Sequence, residues 1–170
     1  MHNVILWLPF VLLMTTPSHA QELKTVASVD LTRYAGLWFE IASFPQRFQK
    51  GCEFTTATYT GTDKDYILVE NKCIRNRKPT GIRGKAFVVK GSNNAKLKVQ
   101  FFWPFRGKYW IIDLADDYSY AVVSHPNRKY LWILSRTSTM PDAVFQGIKD
   151  RLKEKGFDLT KLRLTRQRDN

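Results

Sequence analysis

A catalytic or zinc site needs histidines or thiolates, and this chain has few of either. Of its three histidines, His2 and His19 lie in an N-terminal stretch that reads as a cleaved leader, which leaves His125. Ser124 and Ser135 are the hydroxyls a Ser-His-acid system would draw on, but no nucleophile-elbow pattern frames either of them. Glu40, set in the apolar run "WFEIA", is expected to face inward near the closed end of the fold. A buried carboxylate can serve as a base with a raised pKa, but a hydrogen-bonded structural acid is the simpler reading. The two cysteines, Cys52 and Cys73, stand 21 positions apart in a chain that reads as exported. Such a pair forms a disulfide, worth about 3 kcal/mol by loop-closure entropy. One histidine without free thiols falls short of an ordinary zinc site. The sequence therefore points away from an enzyme, and no metal or cofactor is implied.

What the chain has in excess is positive charge. Twenty-seven Lys and Arg face fifteen Asp and Glu, a formal net charge of +12. The leader contributes none of it. Residues 4–14 ("VILWLPFVLLM") are an apolar run too short to anchor in a bilayer, and Ser18-His19-Ala20 is a small-x-small cleavage site. Residues 1–20 thus read as a secretory signal and 21–170 as one domain. A lipoprotein signal needs a cysteine at the cleavage point, and the first cysteine is Cys52, so the mature protein is expected to be soluble. A strongly basic exported protein suits anionic small molecules or acidic lipid surfaces. Nucleic acid is disfavoured by export and by the lack of any helix-turn-helix, zinc-finger or RNP-like pattern.

The elements that would position a site are strands. "KLKVQF" (96–101) alternates strictly, with Leu97, Val99 and Phe101 on one face and Lys96, Lys98 and Gln100 on the other. Short β segments recur at 37–44, 53–60, 66–73, 82–90, 96–103, 109–114, 118–125 and 129–136. After the first, the connections are short and rich in Gly, Asn, Asp and Pro. Short links force antiparallel neighbours, and eight up-and-down strands close into a barrel that removes exposed edges. If Thr62 and Asp63 centre the second hairpin, Cys52 and Cys73 oppose each other directly. The period then changes. Pro141 suits a first helical turn, Val144, Ile148 and Leu152 form one apolar stripe widened by Phe145, and Gly156-Phe157 fits a helix stop. That helix should lie outside the barrel, with "KLRLT" (161–165) as a short last strand.

An eight-stranded barrel is just wide enough to be filled by side chains or to hold one small ligand. Small residues on inward faces (Ala57, Gly84, Ala86 and Ala121) favour a ligand, because Leu or Phe there would fill the space. Three features together resemble the signature regions of the lipocalin family: Gly36-x-Trp38 at the first strand, Asp117-Tyr118 near the sixth-to-seventh turn, and Arg136 closing the eighth strand. "GLWFEIASFPQRFQKGC", "YSYAVVSHPNRKYLWILSRT" and "GFDLTKL" resemble its bacterial and apolipoprotein D branch in particular. The resemblance implies an eight-stranded calyx with one C-terminal helix, carrying a small hydrophobic ligand. It also implies the periplasm, with secretion as the alternative. Closure brings Trp38 and Arg136 together, and a guanidinium over an indole is worth about 0.5–2 kcal/mol. Gly36 is expected to let the incoming segment 29–35 pass beneath Trp38. These three residues read as a structural plug.

Alternate connections share a barrel end. The loops opposite the plug hold Arg47, Lys50, Arg75, Arg77, Lys78, Arg106, Lys108, Arg128 and Lys129 with no anion, whereas the plugged-end hairpins hold Asp63, Asp65, Asp116 and Asp117 with Lys64. Clustered charge focuses anions. The expected cargo is a fatty acid or lysophospholipid, acyl chain inside and head at the basic mouth. Expected walls are Ala57, Tyr59, Val99, Phe101, Tyr109, Ile111, Tyr130, Trp132 and Leu134; the inward direction of the last three is taken from the family resemblance. Arg106 and Arg128 are the expected head-group contacts. The competing reading is a membrane-surface or protein-interaction module that uses the basic end, with Phe44, Phe48, Trp103 and Phe105, and carries no cargo. Monomer and dimer are both compatible with the sequence.

Overall fold

The computed structural model describes residues 22–168, so the expected leader lies outside the described residues. Eight strands form the barrel: β1 (Gly36–Ser43), β2 (Cys52–Thr60), β3 (Ile67–Arg75), β4 (Lys78–Val88), β5 (Lys96–Phe102), β6 (Phe105–Leu114), β7 (Tyr120–Ser124) and β8 (Leu131–Ser135). Each pairs antiparallel with the next, and β1 pairs with both β8 and β2, which closes the sheet. A short β9 (Arg163–Leu164) adds to the mouth end of β1. The expected eight-stranded up-and-down barrel is thus observed.

Two connections are tighter than their punctuation implies. Pro79 and Gly81 read as loop, yet both lie in β4, opposite Ile74 and Lys72. The turn shrinks to Asn76 and Arg77, both at positive φ (51° and 63°), as a two-residue hairpin requires. Similarly Phe102 opposes Phe105, with only Trp103-Pro104 between them.

Bulges divide the side chains between two cores. In β1, Trp38 and Glu40 face the lumen; the ladder slips between Glu40 and Ala42, and Ala42 turns outward. Outside the barrel, Ala42, Phe44, Ile112, Val122 and Ile133 pack with Ile148, Leu152 and Phe157. This core seats α2 (Asp142–Glu154). Pro141 is its N-cap rather than its first turn, and Val144 stays partly exposed. Gly156 N donates to Lys153 O and Phe157 N to Leu152 O, the Schellman stop the sequence predicts. Arg151 latches the helix to β6 through Asp113 at 2.8 Å.

Cys52 and Cys73 are bonded, but the expected register is corrected. Thr60 opposes Leu68 and Thr56 opposes Lys72, so the hairpin centres near Lys64. A bulge with Phe54 at φ 56° then shifts the ladder, leaving Cys52 opposite Arg75. The sulfurs bridge diagonally with the Cα atoms 5.4 Å apart.

Candidate ligand-binding site

The closed end is sealed first by a polar framework. Asp30 caps the single helical turn α1 (Leu31–Tyr34), accepting from Thr32 N and Arg33 N. Trp38 is fully buried, and its indole Nε1 donates to Tyr34 O at 2.9 Å. The Arg136 guanidinium lies 3.7 Å above the Trp38 ring. It donates to Leu37 O at 2.9 Å, Arg33 O at 2.6 Å and, more weakly, Tyr118 O at 3.4 Å. Burial lowers the Arg136 pKa. Gly36 sits at φ +97°, and a Cβ there would lie 3.3 Å from Arg136 Nη1. Glycine is therefore required by its backbone conformation and by the arginine, which corrects the expectation that it makes room for the incoming segment.

Above the plug the lumen is solid. Tyr34, Trp38, Ala86, Leu97, Ile111, Ala121 and Val123 pack into one cluster. Three of the small inward residues therefore open no space for a guest. Ala86 and Ala121 belong to this packed layer. At Gly84 a Cβ would meet the Phe101 ring at 2.7 Å and Gln100 O at 2.5 Å, so the ring already occupies the position. Ile111, expected as cavity wall, is part of this floor and is fully buried.

The upper half of the lumen is hollow. A cavity of about 470 Å³ opens toward the mouth, within the range that holds one small ligand. Eight expected wall residues line it: Ala57, Tyr59, Val99, Phe101, Tyr109, Tyr130, Trp132 and Leu134. Tyr130 stacks on Trp132 with ring centroids 6.2 Å apart. The sequence names Phe48, Phe105 and Lys108 at the mouth but not as walls, and it misses Gln49, Phe102, Gly107 and His125 from the mouth loops and strand ends and Glu40, Thr55, Thr56, Val69 and Asn71 from the walls. For Val69 and Asn71 a signal existed, since they oppose Tyr59 and Ala57 across the β2–β3 ladder.

Polar groups inside are few and mostly engaged. Glu40 Oε1 accepts from Ser43 Oγ and Thr165 Oγ1, and Oε2 from Gln49 Nε2. It is a satisfied structural acid, as expected, but it sits toward the mouth rather than near the plug. Gln49 also accepts from Trp132 Nε1 at 3.1 Å, tying the 3-10 turn Arg47–Gln49 across the opening. His125 Nδ1 accepts from Asn127 N within its own turn.

The expected head-group contacts need correction. Arg106 and Arg128 do not line the cavity. The Arg106 guanidinium lies 4.0 Å over the Phe87 ring, on the barrel exterior, because it alternates with the lumen-facing Gly107. Arg128 reaches Lys155 O at 2.8 Å and approaches the Phe157 ring at the end of α2. Lys108 opposes Lys98 between the lumen-facing Gly107 and Tyr109, yet it reaches the edge of the cavity. The mouth is ringed by cations, and of these Lys108 alone is among the residues that line the cavity. Phe44, expected at the mouth, is buried against Phe157. A larger hollow of about 730 Å³ lies on the outer face of β3 and β4, beside the Glu70–Lys72 and Glu70–Arg83 ion pairs. Thr56 lines both hollows.

A half-filled calyx with a tryptophan–arginine plug has a known counterpart, for the family model of a lipocalin-like domain matches residues 29–167. The chain belongs to the lipocalin family. It is 39% identical over 158 residues to temperature-induced lipocalin-1 of Arabidopsis thaliana, covering 88% of this chain and 85% of the relative. It is 40% identical over 149 residues to the outer membrane lipoprotein Blc of Escherichia coli K12, covering 86% and 84%. With mouse apolipoprotein D it shares 34% over 152 residues, covering 81% and 77%. Among solved structures, insecticyanin of the tobacco hornworm superposes with a TM-score of 0.73 at 22% identity, covering 91% of this chain and 89% of that one. That likeness shows the fold. Lipocalins as a family bind and transport small hydrophobic ligands, and this lipocalin has a cavity of matching size and lining.

Proposed function

We propose that this lipocalin is an exported carrier of a single-chain anionic lipid, a fatty acid or lysophospholipid, working in the periplasm. The observation that carries the reading is the cavity of about 470 Å³ that opens only toward the basic end. An acyl chain of about fourteen methylenes offers on the order of 11 kcal/mol of gross burial. Association and ordering remove a large part, which leaves micromolar binding. The anionic head stays at the rim, where the ring of Arg and Lys attracts it through the solvent.

The membrane-surface reading joins this one rather than replacing it. Trp103 is 86% exposed, Phe105 77% and Phe48 62%, and all three stand among the rim cations. Exposed aromatics between basic side chains suit an acidic bilayer interface, from which cargo could be loaded. Native mass spectrometry of the purified protein tests carriage. A co-purified fatty acid or lysophospholipid in one-to-one complex is expected. Salt-sensitive flotation with acidic vesicles, together with no lipid bound natively or on titration, would leave only a surface module.

A further inference from the structure

The floor of the cavity is phenolic. The Tyr34 and Tyr59 hydroxyls each lie 2.8 Å from the Tyr109 hydroxyl, and Tyr59 and Tyr109 line the cavity. Burial pushes the Tyr59 pKa up to about 12 and raises those of Tyr34 and Tyr109 well above the ordinary value. All three are therefore neutral and carry their protons. Three hydroxyls bring three O–H donors, and a chain of two hydrogen bonds uses two. Whichever way the bonds run, one phenol proton has no acceptor among the described residues.

A second polar group stands one layer nearer the mouth. Asn71 lines the cavity, and its buried side-chain oxygen has no hydrogen-bond partner. Tyr59 opposes Val69 and Ala57 opposes Asn71, so the amide lies two residues, about 7 Å, along the strand from the tyrosine layer. Buried polar groups are ordinarily paired. A plain methyl-ended chain would reach the floor and leave both the phenol proton and the amide unpaired.

We propose that the deep end of this cavity selects a cargo with a neutral oxygen function, a hydroxyl or carbonyl, at or near its buried terminus. The oxygen accepts the spare phenol proton, and a hydroxyl can donate in turn toward Asn71. This rests on the lipid-carriage reading and narrows it to oxygenated acyl chains.

The test is calorimetric titration with matched pairs: laurate, myristate and palmitate against their ω-hydroxy counterparts. At the best-fitting length the ω-hydroxy member is expected to bind about tenfold more tightly, because its analogue leaves buried donors unmet. The Tyr59→Phe/Tyr109→Phe double variant should bring that ratio toward one. Asn71→Leu should shrink it as well, and serves if the double variant does not fold. Equal or tighter binding of the methyl-ended member at every length overturns the inference while leaving carriage intact. Binding of neither member of any pair overturns carriage itself.

Discussion

Replacing Arg136 with Met should cost stability and spare ligand binding. The guanidinium sits 3.7 Å over the Trp38 ring, half sheltered, so the cation–π contribution is about 1.5 kcal/mol. Its two short hydrogen bonds, to Leu37 O and Arg33 O, reach carbonyls that regain water once the arginine is gone. Each is therefore worth about 0.7 kcal/mol net rather than a full desolvation penalty. The long contact to Tyr118 O adds little. The sum is about 3 kcal/mol, or a fall of about 6–12 °C in melting temperature for a domain of this size. Arg136→Lys keeps the charge, but a single ammonium cannot span carbonyls on two segments, so about half of the loss should remain. Urea unfolding followed by tryptophan fluorescence measures both. Neither Trp38 nor Arg136 lines the cavity, and fatty-acid affinity should stay within about twofold where the variant is folded. A loss below about 1 kcal/mol, or an unchanged unfolding curve with collapsed affinity, would refute the plug and place these residues in the binding site.

Two other outcomes follow from the floor of the lumen. Gly84→Ala forces a Cβ to within 2.5 Å of Gln100 O and 2.7 Å of Phe101, a clash partly with backbone, so a destabilisation of about 2 kcal/mol is expected in chemical unfolding; a neutral result would mean that β5 yields more easily than the packing implies. The tyrosine layer predicts alkaline lability. The folded protein holds the Tyr59 proton up to about pH 12, whereas the unfolded chain loses it near pH 10. Stability is then fully present below about pH 10 and falls as pH rises toward 12. A spectrophotometric titration should show Tyr34, Tyr59 and Tyr109 ionising only with unfolding, and ionisation near pH 10 in the folded state would contradict the burial.

The barrel was legible because its strands alternate and its turns are punctuated. Periodicity alone placed Leu97, Val99 and Phe101 inside, and the helix stop at Gly156-Phe157 follows from local rules. What failed were inferences that need two strands at once. The Cys52–Cys73 pair was right, but its register depended on a bulge at Phe54 that no pattern announces. Gly84 looks vacant in the sequence because a sequence shows the missing side chain and not Phe101 filling its place from the neighbouring strand. Arg106 and Arg128 lie at the correct end of the barrel, yet parity turns one outward over Phe87, and the neighbouring helix end takes the other. End assignment follows from topology; direction follows from register, which depends on pairings the sequence does not display. The mouth loops contributed walls such as Phe48 and Gln49 because a 3-10 turn, with no hydrophobic period of its own, folds back over the opening.

The division of the lumen into a packed half and a hollow half has a physical origin in the barrel's two ends. At the closed end the chain must satisfy the backbone groups of a crossing segment: Arg136 donates to the Arg33 carbonyl, while the Asp30 carboxylate and the Tyr118 hydroxyl accept from backbone N–H groups. That fixed frame lets Trp38, Tyr34 and Leu97 pack against a rigid base, so the filled half can hold the fold while the other half stays open. At the mouth the hairpins run past the core, and their stability comes from the Cys52–Cys73 bond and from outer contacts such as Arg75 on Phe48 O. A protein whose stability lies at one end can leave the other to its cargo. The polar demand left in the hollow half, one phenol proton and one amide oxygen, then falls on whatever enters.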